Sequence, residues 1–273
     1  MSTSIKFGFP AEWEDFSERN AQYFDKFPHL KTAFDQILVR TIRDTTLADK
    51  IILLLGRLCL EDFMEIMCLA ANGYGYGALK LVRGLYERAV VMYYLVANPN
   101  KTDKFLNYSR VEKIKGLNAW VEAYPNDSTG ARLLEELRSR SEEIAGEFTT
   151  KTWSGLDFVS MSKKTGSLGK MLSEAYYHPL AHAHGTAQAV ISRVTWSEGG
   201  GFELIGGSQP KQADNALMLS HKIMIYVLGA QIDHFKNTID EKTVMVLLDD
   251  FVAIWKAKEG GESDPKKEKP ENF

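Results

Sequence analysis

The fold of this chain is decided by residues 48–98, which read ADKIILLLGRLCLEDFMEIMCLAANGYGYGALKLVRGLYERAVVMYYLVAN. The stretch is apolar almost throughout and divides into two helical segments, residues 48–72 and 75–98. Asn72-Gly73 is a typical helix end, and Gly75-Tyr76-Gly77 permits a tight reversal of the chain. The sequence therefore predicts a central helical hairpin in an all-α bundle.

The pattern is helical on both sides of this hairpin. Further helices are predicted over residues 11–26, 28–42, 101–122, 128–147, 169–194, 211–237 and 240–257, and the one over 169–194 is interrupted at Pro179. Pro28 is expected near the start of its helix, and the candidate caps of the central helix are Thr45, Thr46 and Asp49. Residues 148–168 are predicted to be an ordered loop. Alternating apolar and polar residues around Gly199-Gly200-Gly201 predict a small β-hairpin or flap near 193–206.

One domain accounts for this pattern. We expect a single helical domain over residues 1–259, made of an N-terminal arm (1–44) and a core bundle (45–258). Residues 260–273 are charged and contain proline, which predicts a disordered tail.

Composition narrows the function classes. The net charge of -3 gives no overall electrostatic signal for tight nucleic-acid or membrane binding, although it leaves room for a local basic patch. Charged residues interrupt the longest apolar run, which makes residues 51–71 a poor membrane span. Cys59 and Cys68 lie nine residues apart on one predicted helix, too far for a disulfide. With no signal peptide visible, we expect a cytoplasmic protein. We also expect that it uses no cofactor.

Each helix of the hairpin carries a narrow charged stripe, made of Arg57, Glu61 and Glu65 on the first and Lys80, Arg83 and Glu87 on the second. Charge on a buried helix is costly unless it is paired or used. Reflection of the hairpin about residues 73–74 predicts a Glu65–Arg83 pair and places Glu61 near Glu87, which would raise one carboxyl pKa. Arg57 and Glu61 are interpreted as a local helix pair. A purely structural ion-pair network that fixes helix register is the alternative.

A second cluster lies in the segment EAYYHPLAHAHGTA, where three histidines follow one another at positions 178, 182 and 184. With Arg83 holding a phosphate, such a histidine could serve as general acid or base. Core packing of the histidines is the alternative. A carboxylate-rich metal site with a histidine and Glu61, Glu65, Glu87 and Glu174 is conceivable. The Glu-x-x-His repeats of di-iron bundles are absent, so no metal ligand is assigned. In the loop, Trp153 could line a pocket and Lys163 could bring positive charge to a ligand.

Several short motifs together resemble a known family. They are Asn72-Gly73-Tyr74, residues 77–87 (GALKLVRGLYE), Trp153-Ser154-Gly155, Tyr177, Leu180-Ala181 and His184. Their order and spacing resemble a bacterial all-helical family catalogued as domain of unknown function 5677, over roughly residues 45–235. The resemblance implies a fold and a residue set that includes Arg83, Glu87 and His184, but no reaction. Ala181 stands where a small hydroxyl residue is expected.

The chain is also distantly similar to HEPN proteins, helical bundles that include dimeric, metal-independent ribonucleases of toxins and phage defence. Their hallmark is an arginine followed within a few residues by histidine. No arginine precedes His184 in residues 174–183, so Arg83 would have to supply the guanidinium from another helix.

These observations lead to a site hypothesis. The leading hypothesis is a HEPN-like protein that acts on RNA or a nucleotide in a defence or toxin context and works as a homodimer. The charged residues within 51–71 lead us to expect no membrane partner. Arg83 would bind phosphate, His184 would be general acid or base, Glu87 would orient either of them, and Tyr177 would assist by hydrogen bonding. The remaining candidate binding residues are Glu65, Lys80, Trp153, Lys163, His178 and His182. The competing hypothesis is a non-catalytic helical module that binds a protein or small ligand. The distance of His184 from Arg83 and Glu87 distinguishes the two hypotheses, because a shared catalytic site requires His184 within hydrogen-bond reach of both.

Overall fold

The structure is a computed structural model that describes residues 8–43, 45–140, 152–197, 199–236 and 242–259. The predicted tail at 260–273, the end of the predicted helix at 128–147 and the first four residues of the predicted loop at 148–168 lie outside these residues.

The all-α prediction is confirmed. The helices are α1 Glu12–Arg19, α2 Ala21–Ile37, α3 Leu47–Ala71, α4 Gly75–Ala97, α5 Thr102–Ala123, α6 Ser128–Ser139, α7 Phe158–Ser162, α8 His178–Ala183, α9 Ala187–Ile191, α10 Pro210–His234 and α11 Lys242–Glu259. Short 3-10 turns occupy Pro99–Lys101 and Leu168–Met171, and a π-helical turn occupies Ser173–Tyr177. A two-stranded antiparallel hairpin, β1 Val194–Trp196 and β2 Phe202–Leu204, is present at the predicted flap.

The centre of the bundle is the predicted hairpin of α3 and α4, with α10 packed against both helices. A capping box begins α3, because Thr46 Oγ1 accepts from the Asp49 amide at 3.2 Å and Asp49 Oδ2 accepts from the Thr46 amide at 2.8 Å. The same Asp49 carboxylate contacts His234 Nε2 at 2.7 Å, so the start of α3 is tied to the end of α10. Side chains that are fully or almost fully buried line all three helices, among them Ile52, Phe63, Leu79, Tyr86, Leu217 and Leu228.

Two glycines allow the reversal between α3 and α4. Gly73 has φ +81°, a left-handed conformation that L side chains rarely adopt. At Gly75, a Cβ atom would lie 2.3 Å from the carbonyl oxygen of Gln209 and 2.6 Å from the backbone nitrogen of Ala213. The start of α4 therefore touches the start of α10 backbone to backbone, which only glycine permits.

The N-terminal helices break elsewhere than the sequence predicts. The helix predicted over 11–26 is broken at Asn20, between α1 and α2. Pro28 lies inside α2 rather than near a helix start. The Asn20 side chain donates to the Phe16 carbonyl at 3.0 Å and to Asp214 Oδ1 at 2.8 Å, so the break is held by tertiary hydrogen bonds. Burial of the apolar face of α2 on both sides of Pro28 offsets the lost backbone hydrogen bond.

Residues 169–194, predicted as helix with an interruption at Pro179, are broken into more pieces than predicted. The segment consists of a 3-10 turn, a π-helical turn, α8 and α9. Pro179 lies at the start of α8, where its missing N–H costs nothing, and the backbone turns extended at His184. Thr186 then caps α9, because its hydroxyl accepts from the Ala189 amide at 3.1 Å, and it also donates to the Ala181 carbonyl. Thr186 thus supplies the local hydroxyl bond that Ala181 cannot.

The 152–168 segment is ordered against the bundle. Trp153 packs edge-on between Tyr94 and Phe105, with ring centroids 5.6 and 5.1 Å away. Among the described helices, none combines the length and the apolar character needed to cross a membrane.

Candidate functional site

Arg83 on α4 is the centre of the candidate site. Its Nε donates to Glu87 Oε1 at 2.8 Å, and its Nη1 lies 3.2 Å from His184 Nε2. The guanidinium carbon stands 4.7 Å from the ring centroid of Tyr176. We call Arg83, Glu87, His184 and Tyr176 the Arg83 cluster. It joins residues 101 positions apart in the sequence, and it brings together three of the four residues predicted to be catalytic.

Each member is placed by its own element. Arg83 and Glu87 are four residues apart on α4 and therefore share a face. Tyr176 lies in the π-helical turn, where its ring stacks on Phe158 at 4.7 Å. His184 directly follows α8 in an extended conformation, and its carbonyl accepts from the Thr186 amide at 2.8 Å. π-Helical turns are frequent at functional sites because they reorient side chains within a helical segment.

The hydrogen bonds fix the chemistry of the cluster. A guanidinium only donates, so Nε2 of His184 accepts and the ring proton lies on Nδ1. Nη2 of Arg83 has no partner among the described residues. The Arg83 side chain is 22% exposed, so solvent reaches it. A held guanidinium with free N–H groups can bind a phosphate oxygen, beside an imidazole with a basic nitrogen.

The predicted Glu65–Arg83 pair is wrong. Glu65 is exposed, and the ion pair that crosses the α3–α4 hairpin joins Asp62 to Arg88. The helices are rotated so that Asp62, and not the Glu61–Glu65 stripe, faces α4. Asp62 is the carboxyl group of this hairpin whose pKa is raised: burial is the main cause, Arg88 opposes it, and the nearby charges of Glu65 and Glu61 add to it.

Arg57 is another correction. Instead of pairing with Glu61, its Nε and Nη2 donate to the carbonyls of Leu38 and Arg40 at 2.7 and 2.6 Å. These carbonyls follow the end of α2, where helical partners are no longer available. Arg57 therefore fastens the chain that leaves α2 and has no part in the site.

The other two clustered histidines lie away from Arg83. His182 is buried against Tyr76, with ring centroids 4.6 Å apart, and Nδ1 of His182 has no partner among the described residues. The pKa of His182 is lowered, first by burial and then by the positive charges of His178, Arg193 and Lys80. His182 thus packs as a neutral ring.

His178 is exposed and faces α10. It lines an open groove of about 290 Å³ together with Ser173, Glu174, Asn215, Met218 and Leu219. Since Glu61 and Glu65 are exposed on α3 and Glu174 faces this groove, the carboxylates that could have formed a metal site are not brought together. No group of three or more His, Cys, Asp or Glu side chains suited to a metal ion occurs in the described part of the chain.

The remaining predicted residues have different surroundings. Tyr177 is 48% exposed, and the aromatic ring beside it is Tyr176, at 5.3 Å. Lys80 and Lys163 are exposed. Trp153 is a packing anchor, as described above. Sequence reasoning missed Tyr176: the Tyr-Tyr pair was visible, but the π-helical turn that selects Tyr176 for Arg83 was not.

Comparison with known proteins gives one match. The model of the family of unknown function DUF5677 matches residues 49–202, more than half of the chain. The match includes α3 from Asp49 onward, all of α4 and the whole Arg83 cluster. No curated protein and no solved structure matches the chain. The chain therefore belongs to the DUF5677 family of unknown function.

Proposed function

We propose that the Arg83 cluster binds a phosphodiester group of RNA and that His184 acts as general base in its cleavage. One observation carries the proposal: Nε2 of His184 lies 3.2 Å from an arginine that Glu87 holds at 2.8 Å. This is the arrangement required if Arg83 supplies from another helix the guanidinium that the histidine segment lacks.

The cluster contains the groups that transesterification needs. The phosphate oxygens of the substrate take the N–H groups of Arg83, so Nη1 releases Nε2 of His184 and the single lone pair of that nitrogen becomes free. The substrate 2′-hydroxyl then gives its proton to Nε2 while its oxygen bonds to phosphorus. The bond from phosphorus to the 5′-oxygen breaks, and that oxygen takes a proton from water. The products are a 2′,3′-cyclic phosphate and a 5′-hydroxyl. The free N–H groups of Arg83 stabilise the charge that develops on the phosphoryl oxygens.

Glu87 and Tyr176 are positioning residues in this proposal. Glu87 fixes the guanidinium through Nε, and Tyr176 supports its face, so Nη1 is held at His184 and Nη2 stays available to a phosphate oxygen. Tyr177 is exposed beside Tyr176 and is proposed to hydrogen-bond the substrate. Lys80, one turn before Arg83, would attract the RNA backbone. The defence or toxin setting and the homodimer implied by the HEPN resemblance stay predictions.

A cleavage assay tests the proposal. Purified wild type is incubated with single-stranded RNA in EDTA, beside Arg83→Ala and His184→Ala. We expect wild type to release 2′,3′-cyclic phosphate ends and both variants to lose at least 100-fold in rate. Arg140→Ala is the matched control, because Arg140, directly after α6, forms an Arg–Glu pair of the same 2.8 Å length with Glu136. Full activity in either site variant, or no cleavage by wild type, would overturn the proposal.

The i,i+4 spacing of Arg83 and Glu87 favours the competing hypothesis, since such pairs commonly stabilise helices without any function. On that hypothesis the cluster is a structural contact in a non-catalytic binding module. Arg83→Ala would then change the free energy of unfolding without changing any RNA reaction.

A further inference from the structure

A second group of basic side chains surrounds Tyr76, near the start of α4. The guanidinium carbon of Arg193 stands 4.0 Å from the ring centroid of Tyr76, and the ring of His182 lies 4.6 Å from it. The ring of His178 lies 5.3 Å from that of His182. Lys80 is exposed on α4 one turn after Tyr76. We call Lys80, His178, His182 and Arg193 the basic cluster.

Tyr76 is a fixed platform for this cluster. It is only 8% exposed, and its hydroxyl donates to the Ser192 carbonyl at 3.3 Å and accepts from Gln212 Nε2 at 3.4 Å. The aromatic face that Arg193 stacks on is therefore held from both α10 and the end of α9.

The basic cluster lacks partners of its own. None of its four side chains forms an ion pair or a hydrogen bond within the part of the chain that the structure describes. Glu174, four residues before His178, lines the same groove without pairing with it. Nε of Arg193 and Nδ1 of His182 are buried and have no partner among the described residues, which costs free energy.

Electrostatics favour an anion as the missing partner. After burial, the positive charges of His178, Arg193 and Lys80 lower the pKa of His182, so like charges converge on this imidazole. An anion among them would remove the repulsion and let His182 hold a proton. A guanidinium and an ammonium only donate hydrogen bonds, which suits phosphate oxygens. Arg193 is partly exposed and Lys80 and His178 are exposed, so an anion can reach them.

The basic cluster adjoins the Arg83 cluster along two segments. On α4, Lys80 lies three residues before Arg83, in the same charged stripe. At the end of α8, His182 lies two residues before His184. Since an RNA strand carries a phosphate at every nucleotide, a strand held at Arg83 has a second phosphate to place nearby.

We propose that the basic cluster is a second phosphate site, which holds a neighbouring phosphate of the RNA strand bound at Arg83. Arg193 and Lys80 donate to its oxygens, and His182 takes up a proton when the phosphate binds. Tyr76 keeps the guanidinium of Arg193 in place. The choice of RNA as the source of the phosphate rests on the proposed function.

Binding of single-stranded 2′-O-methyl RNA tests the second phosphate site, because this RNA lacks the attacking hydroxyl and is not cleaved. The Kd of the full chain is measured by fluorescence anisotropy between about 50 and 200 mM salt. We expect Arg193→Gln to weaken binding about tenfold at the lower salt concentration. The slope of log Kd against log salt should fall by about 0.7, the value for one phosphate contact on a single strand.

Two further variants keep this test independent of folding and of overall charge. Lys80→Gln changes an exposed side chain, so it should fold normally and also lower the salt slope. Lys113→Gln is the matched control, because it removes the same charge from an exposed lysine on α5. It should leave the Kd and the salt slope unchanged.

Three results would overturn the second phosphate site. Wild type could fail to bind the RNA, or Arg193→Gln and Lys80→Gln could keep the salt slope of wild type. An oligoglutamate peptide that binds as tightly as RNA, and loses the same affinity in Arg193→Gln, would assign the basic cluster to an acidic protein segment. Wild type that binds RNA with the expected slopes but does not cleave it would refute the proposed function and support the second phosphate site.

Discussion

Glu87→Gln separates a structural ion pair from a positioning one. The substitution keeps the size of the side chain and an acceptor oxygen for Nε of Arg83, but removes the charge. The pair is partly exposed, with side-chain exposures of 22% for Arg83 and 40% for Glu87. Screening by solvent limits its contribution to stability to about 0.5 kcal/mol.

The expected effect on RNA cleavage is much larger. A guanidinium that is no longer fixed by charge samples positions about 1 Å away, and a displacement of that size can cost about 100-fold in rate. We therefore expect Glu87→Gln to lower the cleavage rate about 10- to 100-fold while the free energy of unfolding changes by less than about 1 kcal/mol.

Two assays on the same preparations compare the loss of cleavage rate with the loss of stability. They are single-turnover cleavage of a labelled RNA, and urea unfolding followed by circular dichroism. Glu136→Gln is the matched control, because the Glu136–Arg140 pair has the same 2.8 Å contact and i,i+4 spacing but lies on α6. The control should lose as little stability as Glu87→Gln and keep full cleavage. Equal cleavage by both variants and wild type would refute the positioning role.

Three further predictions concern the bundle. Gly75→Ala should destabilise the protein by about 2 kcal/mol or more in urea unfolding, because the new methyl group would meet backbone atoms of α10. Gly116→Ala should instead stabilise it by about 0.5–1 kcal/mol, because nothing lies within 4 Å of the added atom on α5; a loss of stability at Gly116 would contradict the argument. Burial lowers the pKa of His221 to about 4 in the folded protein. As the pH falls, this imidazole is therefore protonated in the unfolded chain before it is protonated in the folded one. Stability should therefore fall by about 3 kcal/mol between pH 6.5 and 4, and His221→Gln should lack this component when unfolding is measured across that range.

The main elements could be predicted because their signals are local. The apolar runs on both sides of Asn72-Gly73 define α3 and α4, and the Thr46–Asp49 capping box is visible in the sequence. The break at Asn20 could not be predicted, because hydrogen bonds to Asp214 on α10 hold it. Pro28 misled the prediction, because burial of α2 outweighs the cost of proline inside a helix.

The site was predictable in part for the same reason. Arg83 and Glu87 share a helical face by spacing alone, and the family resemblance singled out His184. Reflection of the hairpin about residues 73–74 predicts which levels of α3 and α4 lie side by side, but not the rotation of each helix about its axis. It therefore predicts a Glu65–Arg83 pair, whereas in the structure Asp62 pairs with Arg88. Tyr176 depends on the π-helical turn, which has no clear sequence signal.

The most direct test of the shared site is a double-mutant cycle on RNA cleavage with Arg83→Ala, His184→Ala and the double variant. If the two residues act as one unit, the double variant should be about as slow as the slower single variant, with a coupling of at least about 1.4 kcal/mol, tenfold in rate. Rate losses that simply multiply would show that Arg83 and His184 act independently and would contradict the account.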